Sequence, residues 1–440
     1  MKKCLFITYY FPPSGGPGVQ RVLKFAKYLP EFGWEPVVLT VKDGDYPARD
    51  ESLLKEIPPS LKVYRTSIIE PYDFYRRVTG KKPGSAVDVN NIPKKGEKKG
   101  AAESIAEFIR ATFFIPDARV GWLLNAASEA KRIIEKEGIE AIYSSSPPYT
   151  CAVIARRVHR STGIPWIAGF RDPWTGFLST PERWLLPRKL DEYLERSCFE
   201  DATLIEVAWR GILLDLRKKY PWIPEEKISH LPNGYDSADF PAVEYKPNEK
   251  FTVTYAGSMY GVRNPRTFLL AVANLIAAKK IDPNKLHLKF IGRFGTEVLE
   301  MFQEPAVVAC ISTLPYLPHS ESIRHLMTSE ALLLVVDEYT GGEEIVPGKV
   351  FEYIGARRPI IAIAHEGAVA ELLRSTRAGR AARNNDVAAI ERIVLESYND
   401  YLYNKSDFSP DPAAISQYER REITRKLAQL LDVSIGHSNS

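Results

Sequence analysis

Short β-rich runs alternate with helical patterns along most of this 440-residue chain. Strands separated by helices form β-α-β units, in which the strands lie parallel in one sheet. A first series of predicted strands covers residues 4–8, 36–41, 61–65, 141–144, 166–170 and 203–207. A second series covers residues 252–256, 287–291, 331–336 and 359–364. The alternation predicts an α/β protein with doubly wound, Rossmann-like sheets.

Two breaks divide the chain into domains, as its length also suggests, since domains commonly have ~100–200 residues. The segment Leu-Pro-Asn-Gly-Tyr-Asp at 231–236 separates the two series, so we expect one domain at 1–235 and another at 236–410. A Pro-rich break at 409–412 precedes the last helical pattern, at 417–432. Its apolar stripe (Ile423, Leu427, Leu430 and Leu431) needs a surface to cover. We therefore expect residues 411–440 to form a helix that returns to the first domain, followed by a loose tail.

Composition excludes several classes of protein. No apolar run approaches the ~18 residues of a membrane span, and the N-terminus lacks a signal-peptide pattern, which favours a cytoplasmic protein. The four cysteines lie far apart and form no C-x-x-C pair. This spacing argues against a zinc site and against a disulfide framework. The D-x-D pattern at Asp43 and Asp45 follows a predicted strand and is better explained by a turn, so no metal is predicted.

One segment carries the basic excess. The net charge is +4, and residues 76–100 hold eight Lys and Arg against two acidic residues. This segment also lacks apolar periodicity, so we predict a flexible, solvated loop. Peripheral contact with an anionic membrane surface, on the inner face, stays open. A nucleic-acid partner is not predicted, because no basic stripe with interleaved aromatic residues occurs elsewhere.

A glycine loop, FPPSGGPGVQR, connects the first predicted strand to a helix. Such loops hold the pyrophosphate of dinucleotides. Here Arg21 replaces the third glycine of the fingerprint, where close packing of helix on strand is needed, and Pro17 removes one N–H donor. The loop therefore argues against an NAD-dependent oxidoreductase. We keep that class of enzyme only as an alternative.

The second half contains a more specific pattern, EEIVPGKVFEYIGARRPII, at 343–361. A helix is predicted to begin at Gly348 after Pro347, at the sheet edge where doubly wound folds bind ligands. Lys349 in its first turn opposes the helix dipole, which indicates an anionic ligand or simple exposure to solvent. Glu352 could accept hydrogen bonds from vicinal hydroxyls such as those of a ribose, and Glu344 could reach the next sugar.

The pair Glu344 and Glu352, with the residues that follow, resembles the E-x7-E motif of retaining glycosyltransferases of family 4, which have the GT-B fold. The resemblance implies two Rossmann-like domains facing across a cleft. It also implies that Glu352 binds the donor ribose, that Glu344 binds a donor-sugar hydroxyl, and that N–H groups at 348–350 (Gly348, Lys349 and Val350) bind phosphate.

The segment YAGSMYGVRNP at 255–265 resembles the family's strand and loop for the donor diphosphate. The family usually has an Arg after the glycine and a Lys further on, whereas this chain has Ser258 and Arg263. One phosphate-binding cation is therefore missing or replaced, and Arg293 or Lys349 could substitute. The resemblance assigns the donor loop to Gly257, Ser258, Arg263, Asn264 and Arg293.

Two further clusters are predicted on the acceptor side, at the ends of strands in the first half. The family often has a histidine where this chain has Arg171 and Asp172. Asp172 could accept the acceptor's proton, or the two residues could form a structural cap. The predicted acceptor-side residues are Gly15, Gly16, Gly18, Ser146, Arg171, Asp172 and Trp174.

The resemblance implies a retaining, hexosyl-type glycosyltransferase in polysaccharide or glycolipid synthesis. Its donor would be a nucleotide sugar, its acceptor a carbohydrate or lipid-linked hydroxyl, and no cofactor is expected. Asp172, Glu344 and Arg263 would form the catalytic set. Three alternatives stay open: another GT-B enzyme such as a nucleotide-sugar epimerase, a dinucleotide oxidoreductase, or a non-catalytic nucleotide-binding protein.

Overall fold

Two parallel β-sheets form the framework of the chain. A computed structural model describes residues 1–437 except 47, 70–110, 113, 177–182, 262, 337–342 and 406. The chain divides into a first unit, Met1–Pro232 with Ile423–Ser440, and a second unit, Asn233–Glu422. The prediction of an α/β fold with two doubly wound sheets is confirmed.

The first unit contains a seven-stranded sheet of order β3-β2-β1-β4-β5-β6-β7. Every residue of β4 and β5 is buried, because helices cover both faces of a parallel sheet. This continuous burial explains the apolar run of β5, WIAGF, whereas β4, AIYSSS, buries three serines as well. The strands are Lys2–Ile7 (β1), Trp34–Val41 (β2), Lys62–Thr66 (β3), Ala141–Ser146 (β4), Trp166–Phe170 (β5), Leu204–Val207 (β6) and Ile228–His230 (β7).

The second unit contains a six-stranded sheet of order β10-β9-β8-β11-β12-β13. Sequence patterns missed its two edge strands, β10 and β13, as well as β7 of the first sheet. These strands are short and only partly buried, so they lack the apolar runs that identify inner strands. The strands are Phe251–Ala256 (β8), Leu286–Ile291 (β9), Ile311–Leu314 (β10), Ala331–Val335 (β11), Ile360–Ile363 (β12) and Gly379–Ala382 (β13).

Helices connect the strands and cover the sheets. In chain order, the described α-helices are Pro17–Tyr28 (α1), Leu123–Glu137 (α2), Thr150–Thr162 (α3), Leu185–Asp201 (α4), Arg210–Lys219 (α5), Arg266–Ala277 (α6), Thr296–Met301 (α7), His319–Met327 (α8), Lys349–Gly355 (α9), Ala368–Thr376 (α10), Val387–Tyr403 (α11), Pro412–Ser416 (α12) and Arg420–His437 (α13).

Each sheet has one point where the strand order reverses. In the first sheet it lies between β1 and β4, and in the second between β8 and β11. Loops that leave neighbouring strands in opposite directions open a crevice at the carboxyl end of the sheet, where doubly wound folds bind ligands. The loops after β1 and β4, and those after β8 and β11, are therefore the places to look for sites.

The final helix, α13, packs on the first unit. Ile423, Leu427 and Leu431 are fully buried in the same apolar core as α1 and β1. The indole N–H of Trp34 donates a hydrogen bond of 3.1 Å to Asp432 of this helix. The helix begins three residues later than the predicted pattern and continues to His437.

Arg21 is buried in the first unit and joins three elements. Its guanidinium donates to the Glu206 carboxylate of β6 at 2.5 Å, and Glu206 also accepts the hydroxyl of Tyr143 on β4 at 2.9 Å. The same guanidinium donates to the carbonyl oxygens of Leu231 and Pro232 at 2.8 and 3.0 Å. The position of the third fingerprint glycine therefore holds a buried ion pair that ties α1 to the sheet and to the end of the unit.

We predict that Glu206→Gln destabilises the first unit by about 3–5 kcal/mol, because it leaves the Arg21 charge buried without its counter-ion. Denaturant unfolding of the full chain measures the change. In the double variant Arg21→Met with Glu206→Leu, no charge is left unpaired, and much of the loss should be recovered. A single variant that unfolds like the wild type would contradict this account.

A second ion-pair cluster makes the first unit sensitive to acid. The Glu137 carboxylate, at the end of α2, accepts hydrogen bonds of 2.6 Å from Lys62 and from the Tyr64 hydroxyl, both on β3. These two donors lower the pKa of Glu137 from 4.5 to about 2. The contribution of this carboxylate to stability is therefore complete above pH 4.5 and is lost as the pH falls toward 2.

We predict that Glu137→Gln lowers the melting temperature at neutral pH. The difference in melting temperature between the variant and the wild type should become smaller as the pH falls, because Glu137 of the wild type is then protonated and also carries no charge. Thermal unfolding across this pH range measures it. Glu140→Gln, a nearby exposed carboxylate, serves as the control. Parallel pH curves for wild type and Glu137→Gln would show that the carboxylate is not coupled to folding.

Candidate functional site

At the point where the strand order of the second sheet reverses, which we call its switch point, a lysine side chain contacts a glycine. Gly257 follows β8 with φ +134°, and a Cβ built there would lie 2.4 Å from the Lys349 ammonium, at the start of α9. Lys349 donates a hydrogen bond of 2.7 Å to the Tyr255 hydroxyl and lies 4.3 Å from the centre of that ring. The positive φ favours glycine here, and the missing side chain leaves room for this cation beside the backbone.

Backbone hydrogen bonds join the loops after β8 and β9, and we call the two joined loops the ledge. Backbone N–H groups of Gly257 and Met259 donate to the carbonyls of Ile291 and Arg293, at 2.8 and 3.0 Å. Gly292 has φ +143°, and a Cβ there would lie 1.9 Å from the Gly257 carbonyl oxygen. The close approach of two backbones explains the glycine at each position.

The other residues predicted for the donor loop surround this ledge. The Ser258 carbonyl accepts a hydrogen bond of 3.0 Å from the Tyr255 hydroxyl. Asn264 donates to the Gly261 carbonyl and accepts from the N–H of Arg266, so it shapes the entry to α6. Arg263 is half-buried in the same loop. Arg293, after β9, is exposed and stacks on the exposed ring of Tyr316, 5.4 Å from its centre.

Glu352, on α9, is paired with a histidine that sequence reasoning missed. Its carboxylate lies 3.1 Å from Nε2 of His319, the first residue of α8. His319 follows β10, which the sequence patterns did not predict, so nothing placed this histidine at the carboxyl edge of the sheet. The pair is partly exposed, so the carboxylate stays accessible to a ligand.

In the loops after β11 and β12, two buried polar atoms have no hydrogen-bond partner among the described residues. They are Oε2 of Glu344 and Nε2 of His365. Their loops, after β11 and β12, are adjacent, because the N–H of Ala368 donates to the Glu343 carbonyl at 2.9 Å. Leaving a polar atom buried without a partner costs about 1–3 kcal/mol. Such atoms are typical of sites completed by a polar ligand or water.

In the first unit, an arginine covers the glycine loop at the other switch point. A Cβ at Gly18 would lie 2.1 Å from the Arg171 guanidinium, which also donates to the Pro147 carbonyl. The Arg171 N–H donates to the Ser146 carbonyl at 2.8 Å. The loops after β1, β4 and β5 therefore meet at Arg171. Gly16, with φ +102°, is the N-cap residue immediately before α1.

Gly15 and Asp172 lie in the same group of loops. The Gly15 N–H donates to the Ala48 carbonyl at 2.9 Å, which ties the glycine loop to the segment after β2. Asp172 is only partly covered, and burial raises the pKa of its carboxyl against the opposing effect of Arg171. A carboxyl with a raised pKa is a better proton acceptor than an ordinary one.

Ser146 and Trp174 are buried rather than presented at the surface. The Oγ of Ser146 is one of the buried atoms without a described partner. The Trp174 ring stacks on Tyr149 with centroids 4.7 Å apart, and its N–H donates to Asp191 at 2.8 Å. Trp174 therefore supports the loop after β5 from within. Its contact with an acceptor stays a prediction.

Several sequence expectations fall outside this geometry. The basic segment 76–100 lies outside the described residues. Within the described part of the chain, no three His, Cys, Asp or Glu side chains cluster as metal ligands would. All four cysteines are buried thiols. No described helix has both the length and the apolar character to cross a membrane.

Part of the chain matches a protein-family model, and nearly the whole chain matches solved structures. Residues 87–239 match the model of Glycosyltransferase Family 4. No curated protein matches. Solved structures do match over the whole chain. HepE from Anabaena, solved with UDP-glucose, has 13% identity and a TM-score of 0.61, covering 98% of this chain and 100% of its own. Sucrose-phosphate synthase from Thermosynechococcus elongatus has 13% identity and a TM-score of 0.64, covering 99% and 100%.

TarM from S. aureus is a third match, with 11% identity, a TM-score of 0.59 and coverage of 98% and 100%. Two Rossmann-like units with glycine loops at their switch points, together with these neighbours, define a GT-B fold. With the family match over residues 87–239, the chain resembles the glycosyltransferases of family 4. The resemblance inferred from the E-x7-E motif is confirmed at this level.

Two glycines of the site should respond differently to alanine. We predict that Gly292→Ala costs about 2 kcal/mol or more, because it combines positive φ with a clash against backbone. Gly18→Ala should change stability by less than about 1 kcal/mol, because the clashing guanidinium of Arg171 can move and alanine favours helix. Thermal unfolding of both variants is the measurement. Equal losses would mean that the two contacts are equally rigid.

Proposed function

We propose that this glycosyltransferase moves a hexose from a nucleotide-sugar donor to an acceptor hydroxyl, with retention of the anomeric configuration. The donor would bind the second unit, at the carboxyl edge between β8 and β11. The observation that carries the proposal is the grouping there of a cation on Gly257 with two buried polar atoms that lack partners, on Glu344 and His365.

The cation suits the diphosphate of a donor. A lysine in the first turn of a helix is disfavoured by the helix dipole, so an anionic ligand beside Lys349 would offset that cost. In this proposal the bond between the anomeric carbon and the phosphate oxygen breaks, and the electron pair leaves with the diphosphate. Lys349, Arg263 and Arg293 would stabilise the charge that develops there.

The polar atoms suit the hydroxyl groups of the donor. Glu344 and His365 would bind the sugar, since hydroxyls both donate and accept and would satisfy a carboxylate and an imidazole together. Glu352 would accept from the ribose hydroxyls while His319 holds one of its oxygens. His319 would then act as a positioning residue. The backbone N–H of Gly348 would complete the phosphate contacts, whereas that of Val350, also predicted to bind phosphate, already donates to the Pro347 carbonyl at 3.1 Å.

The first unit would bind the acceptor through the loops that meet at Arg171. Asp172 would accept the proton of the attacking hydroxyl, and its raised pKa suits that role. A carbohydrate or lipid-linked acceptor, a role in polysaccharide or glycolipid synthesis and a cytoplasmic location complete the proposal. The neighbours solved with UDP-glucose, or with UDP and a GlcNAc-glycerol, support the choice of a nucleotide-sugar donor and a carbohydrate acceptor.

The alternatives inferred from sequence receive less support. A dinucleotide oxidoreductase needs the glycine loop for its cofactor, but Arg21 ties that loop's helix to Glu206 in the core. An epimerase or a non-catalytic nucleotide-binding protein would share the donor site, and turnover with a nucleotide sugar would separate them from a transferase.

The test separates the nucleotide and sugar halves of the donor. Thermal shift with UDP, GDP, ADP and NAD should identify one nucleoside diphosphate that raises the melting temperature of the wild type. We predict that Lys349→Met weakens the binding of that nucleotide by roughly tenfold or more, because a hydrogen bond to a charged group is lost. Glu344→Gln and His365→Ala should leave the affinity for the nucleotide unchanged and lower only the affinity for the matching nucleotide sugar.

Glu343→Gln, which changes the exposed carboxylate next to Glu344, is the matched control and should bind like the wild type. Stabilisation by NAD alone, unaffected by Lys349→Met, would overturn the donor site. Equal effects of Glu343→Gln and Glu344→Gln on the nucleotide sugar would remove the sugar assignment. The anomeric configuration of the product, read by NMR, tests retention.

A further inference from the structure

A cavity opens at the amino-terminal edge of the second sheet, and we call it the amino-edge cavity. Its volume is about 890 Å³. Small-molecule sites commonly have volumes of roughly 300–1,000 Å³, so the cavity is large enough for a ligand of a few sugar rings or fewer. Its walls come from residues just before β8, β11, β12 and β13 and from the carboxyl-terminal parts of α10 and α11.

The amino-edge cavity is separate from the candidate donor site, because the two lie at opposite ends of the same strands. Arg358 and Pro359 line the cavity and precede β12, whereas His365 lies beyond the other end of β12. This strand has four residues. At ~3.3 Å per residue it spans roughly 13 Å. A small ligand in the cavity therefore leaves the donor site open.

One wall of the cavity holds a half-buried cation, Arg358. Its Nε donates a hydrogen bond of 2.9 Å to the Met327 carbonyl, and its guanidinium lies 3.3 Å from the centre of the Tyr245 ring. No carboxylate among the described residues forms an ion pair with it. Burial lowers the pKa of Arg358 against the opposing effects of Tyr245 and Glu330. The protein therefore compensates this positive charge only in part.

Glu330 lines the same cavity, but neutral donors occupy its carboxylate. It accepts hydrogen bonds of 2.8 Å from the backbone N–H groups of Asn248 and Thr252, and one of 3.2 Å from the Tyr245 hydroxyl. These bonds hold the segment before β8 against the start of β11. Glu330 is therefore committed to the fold, and the Arg358 guanidinium stays available to an oxyanion.

Three further arginines of the cavity are held by exposed ion pairs. Their carboxylate partners do not line the cavity. Exposed pairs contribute little to stability, so these side chains can turn toward a ligand at small cost. The pairs are Arg374 with Glu366, Arg377 with Asp411, and Arg380 with Glu396.

Carboxylates face the same space. Glu249, before β8, is exposed, and Asp400, on α11, is half-buried. Lys285 and Asp407, both exposed, complete the charged lining. The lining as a whole therefore carries both signs of charge in nearly equal number.

This mixture of charges selects the chemistry of a ligand. A simple anion would be repelled by Glu249 and Asp400, whereas a neutral sugar would leave the charge of Arg358 without a counter-ion. A ligand that carries one oxyanion and several hydroxyl groups satisfies both requirements. Its hydroxyls can donate to the carboxylates, and its oxyanion can accept from the guanidinium.

We propose that the amino-edge cavity binds a phosphorylated sugar. The phosphate contacts Arg358, and Arg377 approaches it from the rim. The hydroxyl groups of the sugar donate to Asp400 and Glu249. A guanidinium suits this role, because its planar fork of N–H groups matches the geometry of a phosphate. The proposal goes beyond the donor site and does not depend on the proposed function.

Isothermal titration calorimetry of the full chain tests the proposal with glucose 6-phosphate, mannose 6-phosphate and galactose 6-phosphate. At least one of them should bind roughly tenfold or more tightly than both the matching free sugar and inorganic phosphate. Arg358→Met should weaken its binding roughly tenfold or more, because a hydrogen bond to a charged group is lost. Asp400→Ala should weaken the sugar phosphate several-fold without weakening inorganic phosphate, because it removes only an acceptor for the hydroxyls.

Arg392→Met is the matched control, because it removes an exposed arginine of α11 that does not line the cavity. It should bind the sugar phosphate like the wild type. Melting temperatures without ligand check the folding of each variant. If Arg358→Met does not fold, Arg377→Met takes its place, because that side chain is exposed at the rim, and it should weaken binding several-fold.

The proposal is overturned if the wild type binds none of the three sugar phosphates, or if the folded arginine variants bind them as the wild type does. Inorganic phosphate that binds as tightly as the sugar phosphates would also overturn it, since the carboxylates would then contact no hydroxyls. The nucleoside diphosphate of the donor site should keep its affinity in Arg358→Met. A failure of the donor site is therefore distinguishable from a failure of this one.

Discussion

The buried pair of Arg21 and Glu206 is the interaction on which the first unit depends. It occupies the place where the dinucleotide fingerprint has a glycine, and it connects α1 with β6 and with the last residues of the unit. A buried charge is tolerated only when its partner is fixed, so α1, the sheet and the exit of the chain are held together. The glycine loop that precedes α1 is positioned by the same pair.

The second unit uses glycine for close approach and a lysine for charge. Gly257 and Gly292 let two loops touch backbone to backbone, and Lys349 lies against that ledge, held by Tyr255. The unit thereby presents a cation where its strand order reverses. The corresponding place in the first unit also holds a cation, Arg171, but there the guanidinium covers the glycine loop and donates to the chain's own carbonyl. The two similar folds thus use their switch points differently.

Much of the fold could be predicted because its signals are local. The inner strands and α1 have the apolar runs and the spacing that packing requires, and the alternation of elements implies parallel sheets. The edge strands β7, β10 and β13 lack these signals. Missing β10 had a consequence at the site, since the pairing of His319 with Glu352 could not be inferred without it.

What the sequence determined by itself was the two-sheet α/β fold and the donor-side motif, because both depend on residues near one another in the chain. The tertiary structure decided the partners. Arg21 and Glu206 are 185 residues apart, and no periodic pattern relates them. Likewise, Leu186 and Leu190 of α4 are apolar but exposed, because the fold covers a different face of that helix. Packing, rather than residue type, decides whether a polar atom or an apolar side chain is left without a partner.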